Sequence, residues 1–324
     1  MNHPRWRLVL RSAPLALLAV VLWREKPWTV HLSASAPWAV AATILLNLAV
    51  YLPLKAARWQ VVLQDPPPFR EVLAATIEGL LAGAAIGLGS GDLVRAARLR
   101  RTGGSGESPA TEGQLAIDYG CTWAERGAEV LALAILIFVT ARLTGLGAVA
   151  RGLSGLVVAG YAALLGAGRF AVPRFVVPRL RGWPRIQRAL SSGLAASTPR
   201  RVAAMVALSL LGWSSEIVML VLFQRAFHLE PSVRTALLTL VGINAAIAIP
   251  TLAGNFGTFE AGATAALVMS GAPRAVAVSY ALTYHLTHVI PVAVLATAVY
   301  LVRSYGRSGT RRYSPTPART STGR

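Results

Sequence analysis

Residues 72–94 read VLAATIEGLLAGAAIGLGSGDLV, an apolar run that lies between two basic stretches, 55–70 and 95–101. Lys and Arg gather on the cytoplasmic side of membrane proteins, so both flanks belong on one face. A run with both ends on the same face cannot cross once; it must go in and come back. Gly87, Gly89 and Gly91 stand where the chain would turn, and glycine tolerates the unwound backbone that such a turn needs. The same accounting in the second half puts the short connection 226–233 outside and the last helix running inward to a basic tail. Segments 233–250 and 255–270 then form a hairpin entered from outside, with the tip Pro250-Thr251-Leu252-Ala253-Gly254-Asn255-Phe256-Gly257-Thr258-Phe259-Glu260.

Working outward, apolar runs fall at 8–23, 37–54, 72–89, 115–140, 149–168, 202–224, 233–250, 255–270 and 276–302. The chain of 324 residues is 54% hydrophobic and 14% charged, against about 25% charged in soluble domains. The fold class expected is all-α: a polytopic transmembrane helical bundle of about 6–8 spans plus two glycine-turn re-entrant hairpins entering from opposite faces. Trp6, Trp23, Trp38 and Trp59 near the ends of the first two runs read as interfacial anchors. The first run, followed at once by Arg24, Glu25 and Lys26, reads as a retained helix rather than a cleaved signal. The membrane domain is expected over 1–302, with a flexible loop at 102–113 and a basic cytoplasmic loop at 169–201 that carries a short amphipathic helix near 186–194. A disordered basic tail follows at 303–324. A net charge of +19 would suggest nucleic acid in a soluble protein, but here the arginines lie in connections between apolar runs, and no nucleic-acid partner is expected. Both termini are placed in the cytoplasm.

Seven of the thirteen acids, Glu78, Asp92, Asp118, Glu125, Glu129, Glu216 and Glu260, lie in or at the ends of apolar runs. A carboxyl group in hydrocarbon is costly unless it is paired, protonated or facing a wet cavity, so their concentration suggests a polar path through the bundle. Asp92 and Glu260 each follow a glycine-rich turn, Gly89 and Gly91 in one case and Gly254 and Gly257 in the other. Broken helices in corresponding positions of two halves mark transporter binding sites, and their exposed N–H groups can receive an anion. The alternative reading is that the glycines serve close helix packing and the acids cap helix starts. Asp118, Glu125 and Glu129 share one helix face, with Arg126 spaced to pair with Glu129 and Arg95 and Arg98 as further partners. A purely structural ion-pair network is the alternative there. Glu216 reads as an interface acid near a loop. His285 and His288 share a face and are expected to hydrogen-bond across helices or to titrate with a carboxyl partner. No third ligand accompanies them, and the single cysteine, Cys121, excludes an internal disulfide; neither metal nor cofactor is expected.

Five motifs in order carry a resemblance: Lys55, Arg58 and Trp59 after the second helix; Gly91-Asp92-x-x-Arg95; Glu125-Arg126-x-x-Glu129; Trp213-x-x-Glu216; and Pro250, Gly254, Gly257 and Glu260. Together they resemble the lysylphosphatidylglycerol synthase transmembrane family, also described as flippase-like, over nearly the whole chain. The sequence departs from that pattern in lacking the first-turn proline near Leu88, in having Ala253-Gly254 for Pro-Gly, and in having His285 where an arginine is frequent. The resemblance implies a cell inner-membrane protein that moves a lipid or a lipid-linked sugar with an anionic head group between leaflets. It implies membrane lipids as partners, and a lipid-modifying enzyme or glycosyltransferase as a further one. The residues it marks as substrate-binding are Gly89, Gly91, Asp92, Arg95, Glu125, Arg126, Glu129, Glu216, Gly254, Gly257, Glu260 and His285. The chain ends in a short basic tail where aminoacylating members carry a soluble synthase domain, so lysyl transfer and catalytic residues are not expected. The alternatives are a membrane enzyme or accessory acting on polyprenyl-phosphate or glycolipid substrates, and a membrane scaffold.

Overall fold

The computed structural model describes residues 18–63, 66–86, 90–102, 112–144, 198–247 and 254–310. The run at 149–168, the amphipathic helix near 186–194, Trp6, and most of the loops expected at 102–113 and 169–201 lie outside them. All regular structure among the described residues is helical: α1 (18–25), α2 (Ala36–Val62), α3 (Phe69–Ile86), α4 (Ser90–Thr102), α5 (Glu112–Thr144), α6 (Pro199–Ala226), α7 (Val233–Ile247), α8 (Thr258–Met269) and α9 (Arg274–Thr310). Helices α2, α6 and the Arg274–Val302 part of α9 are long and apolar enough to cross a membrane. At 1.5 Å per residue each exceeds the roughly 30 Å hydrocarbon thickness. The chain is a helical membrane bundle, as its composition implied.

Local chemistry sets several boundaries. Thr198 caps α6, its Oγ1 accepting the Arg201 N–H at 3.3 Å, and Pro199 occupies the first turn, where a missing N–H costs nothing. Helix α2 runs on past residue 54, where its apolar run ends, and Asn47–Tyr51 within it is a π-helical turn closed by the Leu52 N–H on the Asn47 carbonyl. Pro53 follows at once, and a wider turn before it accommodates a residue that cannot donate to the preceding turn. Helix α9 likewise extends beyond its apolar run into the stretch read as tail.

The two ends of the bundle are distinguishable. At one end the Ser33 N–H and Oγ donate to Ala226 O and Arg225 O at 3.0 and 2.8 Å, Gln224 accepts the Ser232 N–H at 2.6 Å, and Arg274 pairs with Glu25 at 3.1 Å. At the other end Val62, Leu63, Val72, Leu99, Cys121 and Met205 form one apolar cluster. Helices α2 and α6 are therefore antiparallel. The α3–α4 hairpin opens toward the second end and the α7–α8 hairpin toward the first, so they enter the bundle oppositely, as the charge accounting predicted. The turn of the second reaches the last turn of α3: a Cβ built on Gly254 would lie 3.3 Å from the Ala84 carbonyl oxygen.

Both hairpins are closed by the same device. A Cβ on Gly79 would lie 2.7 Å from Gly91 O and one on Gly242 2.6 Å from Gly262 O, while one on Gly91 or Gly262 would overlap the opposing glycine carbonyl. Only glycine lets the backbones approach this closely. Gly91, expected in an unwound turn, is thus inside α4 and serves close packing.

Candidate functional site

Helix periodicity brings charged residues of three helices together below the tip of the first hairpin. Lys55 and Arg58 on α2 are three residues apart, as are Asp92 and Arg95 on α4, and Glu125, Arg126 and Glu129 occupy adjacent positions of α5. At the centre the Glu125 carboxylate, 1% exposed, receives Arg58 Nε on Oε1 at 3.0 Å and Arg95 Nη2 on Oε2 at 2.6 Å, with Arg58 Nη2 an ionic neighbour 3.0 Å from Oε1. Arg58 Nη1 also donates to Ser209 Oγ of α6 at 3.0 Å, and the Arg95 guanidinium lies over the Trp59 ring at 4.3 Å. Glu129 takes Arg58 at 3.2 Å, Lys55 at 3.7 Å and Arg126 at 3.1 Å. Asp92 is shared between Arg126 at 3.3 Å and Arg95 at 3.4 Å.

Buried charges persist where each has opposite partners close by, and each of these has one within 3.7 Å. The network's four cations and three carboxylates leave one positive charge in excess. Its surface member is Arg126, whose side chain is 47% exposed while those of Arg58 and Arg95 are 6% and 4%. Arg98, expected beside the acids of α5, instead pairs with Glu78 of α3 at 2.9 Å.

Glu260 lies at the second tip. Gly257 has φ +90° and Gly254 φ +63°, conformations suited to glycine, and Asn255 lies between them at +60°. This turn aims the Gly257 N–H at Glu260 Oε2, 2.6 Å away, so Glu260 does cap α8, as the alternative reading held. Its other oxygen meets His285 Nδ1 at 2.7 Å, and the imidazole lies against Phe256 and Phe259 with centroids 4.5 and 4.1 Å away. The expected cross-helix partner of His285 is this carboxylate.

Glu216 corrects its sequence reading. It is not near a loop but in the middle of α6, 7% exposed, accepting the Tyr284 hydroxyl at 2.8 Å with His288 Nε2 at 3.4 Å from the same oxygen.

The structure thus gathers Asp92, Arg95, Glu125, Arg126 and Glu129 in one network, Gly257, Glu260 and His285 at the second tip with Gly254 touching the first hairpin, and Glu216 in a third cluster. Gly89 and the Asp118 side chain lie outside the described residues. Trp23 and Trp38 are exposed, as interfacial anchors should be, but Trp59 is fully buried beneath Arg95. Lys55 and Arg58 were assigned to a basic connection because the apolar run ends at residue 54; their three-residue spacing, matched to the acids of α5, was the available signal. Among the described residues no three His, Cys, Asp or Glu side chains converge as a metal site would need.

A helical bundle with three helices long and apolar enough to span, oppositely entering hairpins and a paired ionic network in its interior is that of an integral membrane protein. The lysylphosphatidylglycerol synthase TM region family matches this chain over residues 5–296, and the chain belongs to that family. No curated protein and no solved structure matches it.

Proposed function

We propose that the protein moves a lipid or lipid-linked sugar with an anionic head group between the leaflets of the cell membrane. The observation that carries this reading is the excess positive charge of the network, presented through the half-exposed Arg126 beside the first hairpin tip, where the second tip arrives from the opposite end. A phosphate reaching Arg126 competes with Asp92 and Glu129 for its guanidinium, and Arg95 behind Asp92 offers a second donor. Charge-assisted contacts of this kind favour phosphate strongly where water is scarce. The Gly254–Gly257 turn, which reaches the end of α3 at Ala84, supplies polar backbone at a depth where hydrocarbon cannot. In this reading Glu125 holds Arg58 and Arg95 in place and does not touch the lipid, while Glu260 and His285 fix the second turn.

The basic ends of the bundle face the cytoplasm, with both termini there, and the lipid is supplied or consumed by a lipid-modifying enzyme or glycosyltransferase in the same membrane. Reconstitution in vesicles with labelled phosphatidylglycerol, phosphatidylcholine and a polyprenyl-phosphate sugar tests the reading. Faster leaflet exchange of the anionic lipids than of phosphatidylcholine supports it; equal rates for all three contradict recognition by the arginines.

A further inference from the structure

The contacts of His288 require more protons than a neutral imidazole carries. Its Nδ1 lies 3.0 Å from the backbone oxygen of Tyr284, which only accepts. Its Nε2 is closed off from solvent, makes no hydrogen bond, and lies 3.4 Å from Glu216 Oε1, which when ionised also only accepts. A neutral histidine has one N–H, so either tautomer sets a nitrogen lone pair against an oxygen. His285, one turn earlier, has no such conflict, because a single N–H at Nδ1 satisfies Glu260. One additional proton resolves the arrangement at His288, either on Nε2 or on Glu216 as a carboxylic acid donating to Nε2.

We infer that Glu216 and His288 form a one-proton binding site, distinct from the arginine–carboxylate network and coupled to it through Lys55. The coupling rests on the transport reading; the proton site does not. On α9 the Tyr284 hydroxyl donates to the same Glu216 oxygen and its ring lies 4.6 Å from the imidazole, while the Tyr280 hydroxyl is engaged by Leu220 O at 2.8 Å. On α6 itself Trp213 lies one turn before Glu216, and from α8 Phe259 stacks on Tyr284 while Glu260 is occupied by His285 and the Gly257 N–H. From α2, the Tyr51 ring lies 6.5 Å from that of Trp213 and 5.9 Å from Lys55 Nζ, which in turn lies 3.7 Å from Glu129.

Release of the proton breaks the bond to Nε2, or to the Glu216 oxygen, and leaves the pair with one net negative charge. That charge acts across Tyr51 and Lys55 against the network's excess positive charge and reduces the field that the network offers an anion. Linkage makes the effect reciprocal: an anionic head group at the network favours the proton at Glu216–His288, so the two bind together.

Nitrogen-15 NMR of the histidines in the full-length protein in detergent micelles tests the site, with His288 assigned by loss of its signals in His288→Gln and His285 as the internal check of folding. The expected result at neutral pH is two protonated nitrogens on His288, or a proton shared with Glu216, reverting in Glu216→Gln to a neutral ring with Nδ1–H while His285 is unchanged. A neutral His288 in the wild type whose Nε2 shift is that of a lone pair accepting no hydrogen bond overturns the site, with no appeal to the variant's folding. Coupling is read separately as proton uptake from a weakly buffered solution containing a pH indicator when phosphatidylglycerol is added. Uptake in the wild type and its loss in Glu216→Gln are expected; bound lipid without uptake overturns the coupling. Failure of phosphatidylglycerol to bind defeats the transport reading for that lipid and the coupling with it, while the NMR result still decides the proton site.

Discussion

Glu125 is the carboxylate that joins two otherwise repelling guanidinium groups, and its removal leaves Arg58 and Arg95 buried with less compensation. Breaking a buried ion pair from one side costs about 3–5 kcal/mol, so Glu125→Ala is expected to lower the unfolding midpoint in detergent markedly. Arg126→Ala removes a half-exposed partner and is expected to leave that midpoint nearly unchanged, which separates a recognition role from a structural one. The α5 triplet was legible because acids and a base at helical spacing in an apolar run have few innocent explanations. Arg58 and Lys55 were not, since a count of apolar residues ends α2 at the first lysine, whereas long basic side chains let a helix continue and fold their charge onto a neighbour. Glu260 shows the reverse: its place after a glycine turn is legible, but sequence alone does not decide between a ligand and the helix cap that its carboxylate forms with the Gly257 N–H.

At the scale of elements the hairpins depend on glycine pairs rather than on the turns alone. Gly91→Ala and Gly262→Ala place a methyl group into an opposing carbonyl and must spread the helices, whereas Gly83→Ala meets its nearest neighbour, Gly91 Cα, at 3.8 Å, an ordinary contact. Thermal unfolding in detergent is expected to show clear destabilisation for the first two and little for the third. Gly254→Ala adds no clash of that size but holds alanine at φ +63°, a strain of roughly 1 kcal/mol or more, at the point where the turn reaches α3. The hairpins were legible from charge on their flanks, because an apolar run with both ends on one face has one topological solution. The Gly79–Gly91 and Gly242–Gly262 crossings were not, since a sequence shows which residues are small but not which face one another.

Across the whole molecule, the end that carries Ser33, Arg225, Ser232 and Arg274 is set against the end that carries Leu63, Val72 and Val202, and in the proposed orientation the second faces the cytoplasm. Cys121, the only cysteine, is buried, so single-cysteine labels can be added to the otherwise natural chain. Pro66→Cys is expected to react with a membrane-impermeant thiol reagent only from the cytoplasmic side, and Glu230→Cys only from the other. The opposite result at either position reverses the assigned orientation. The most direct measurement of the central claim is leaflet exchange of fluorescent phosphatidylglycerol in sealed vesicles, read by quenching of the outer leaflet. Wild-type protein is expected to expose inner-leaflet lipid to the quencher faster than protein-free vesicles do, and Arg126→Ala to slow this by roughly 10- to 100-fold, the worth of one hydrogen bond to a charged group. Wild-type exchange no faster than in protein-free vesicles, or equal in wild type and Arg126→Ala, contradicts it.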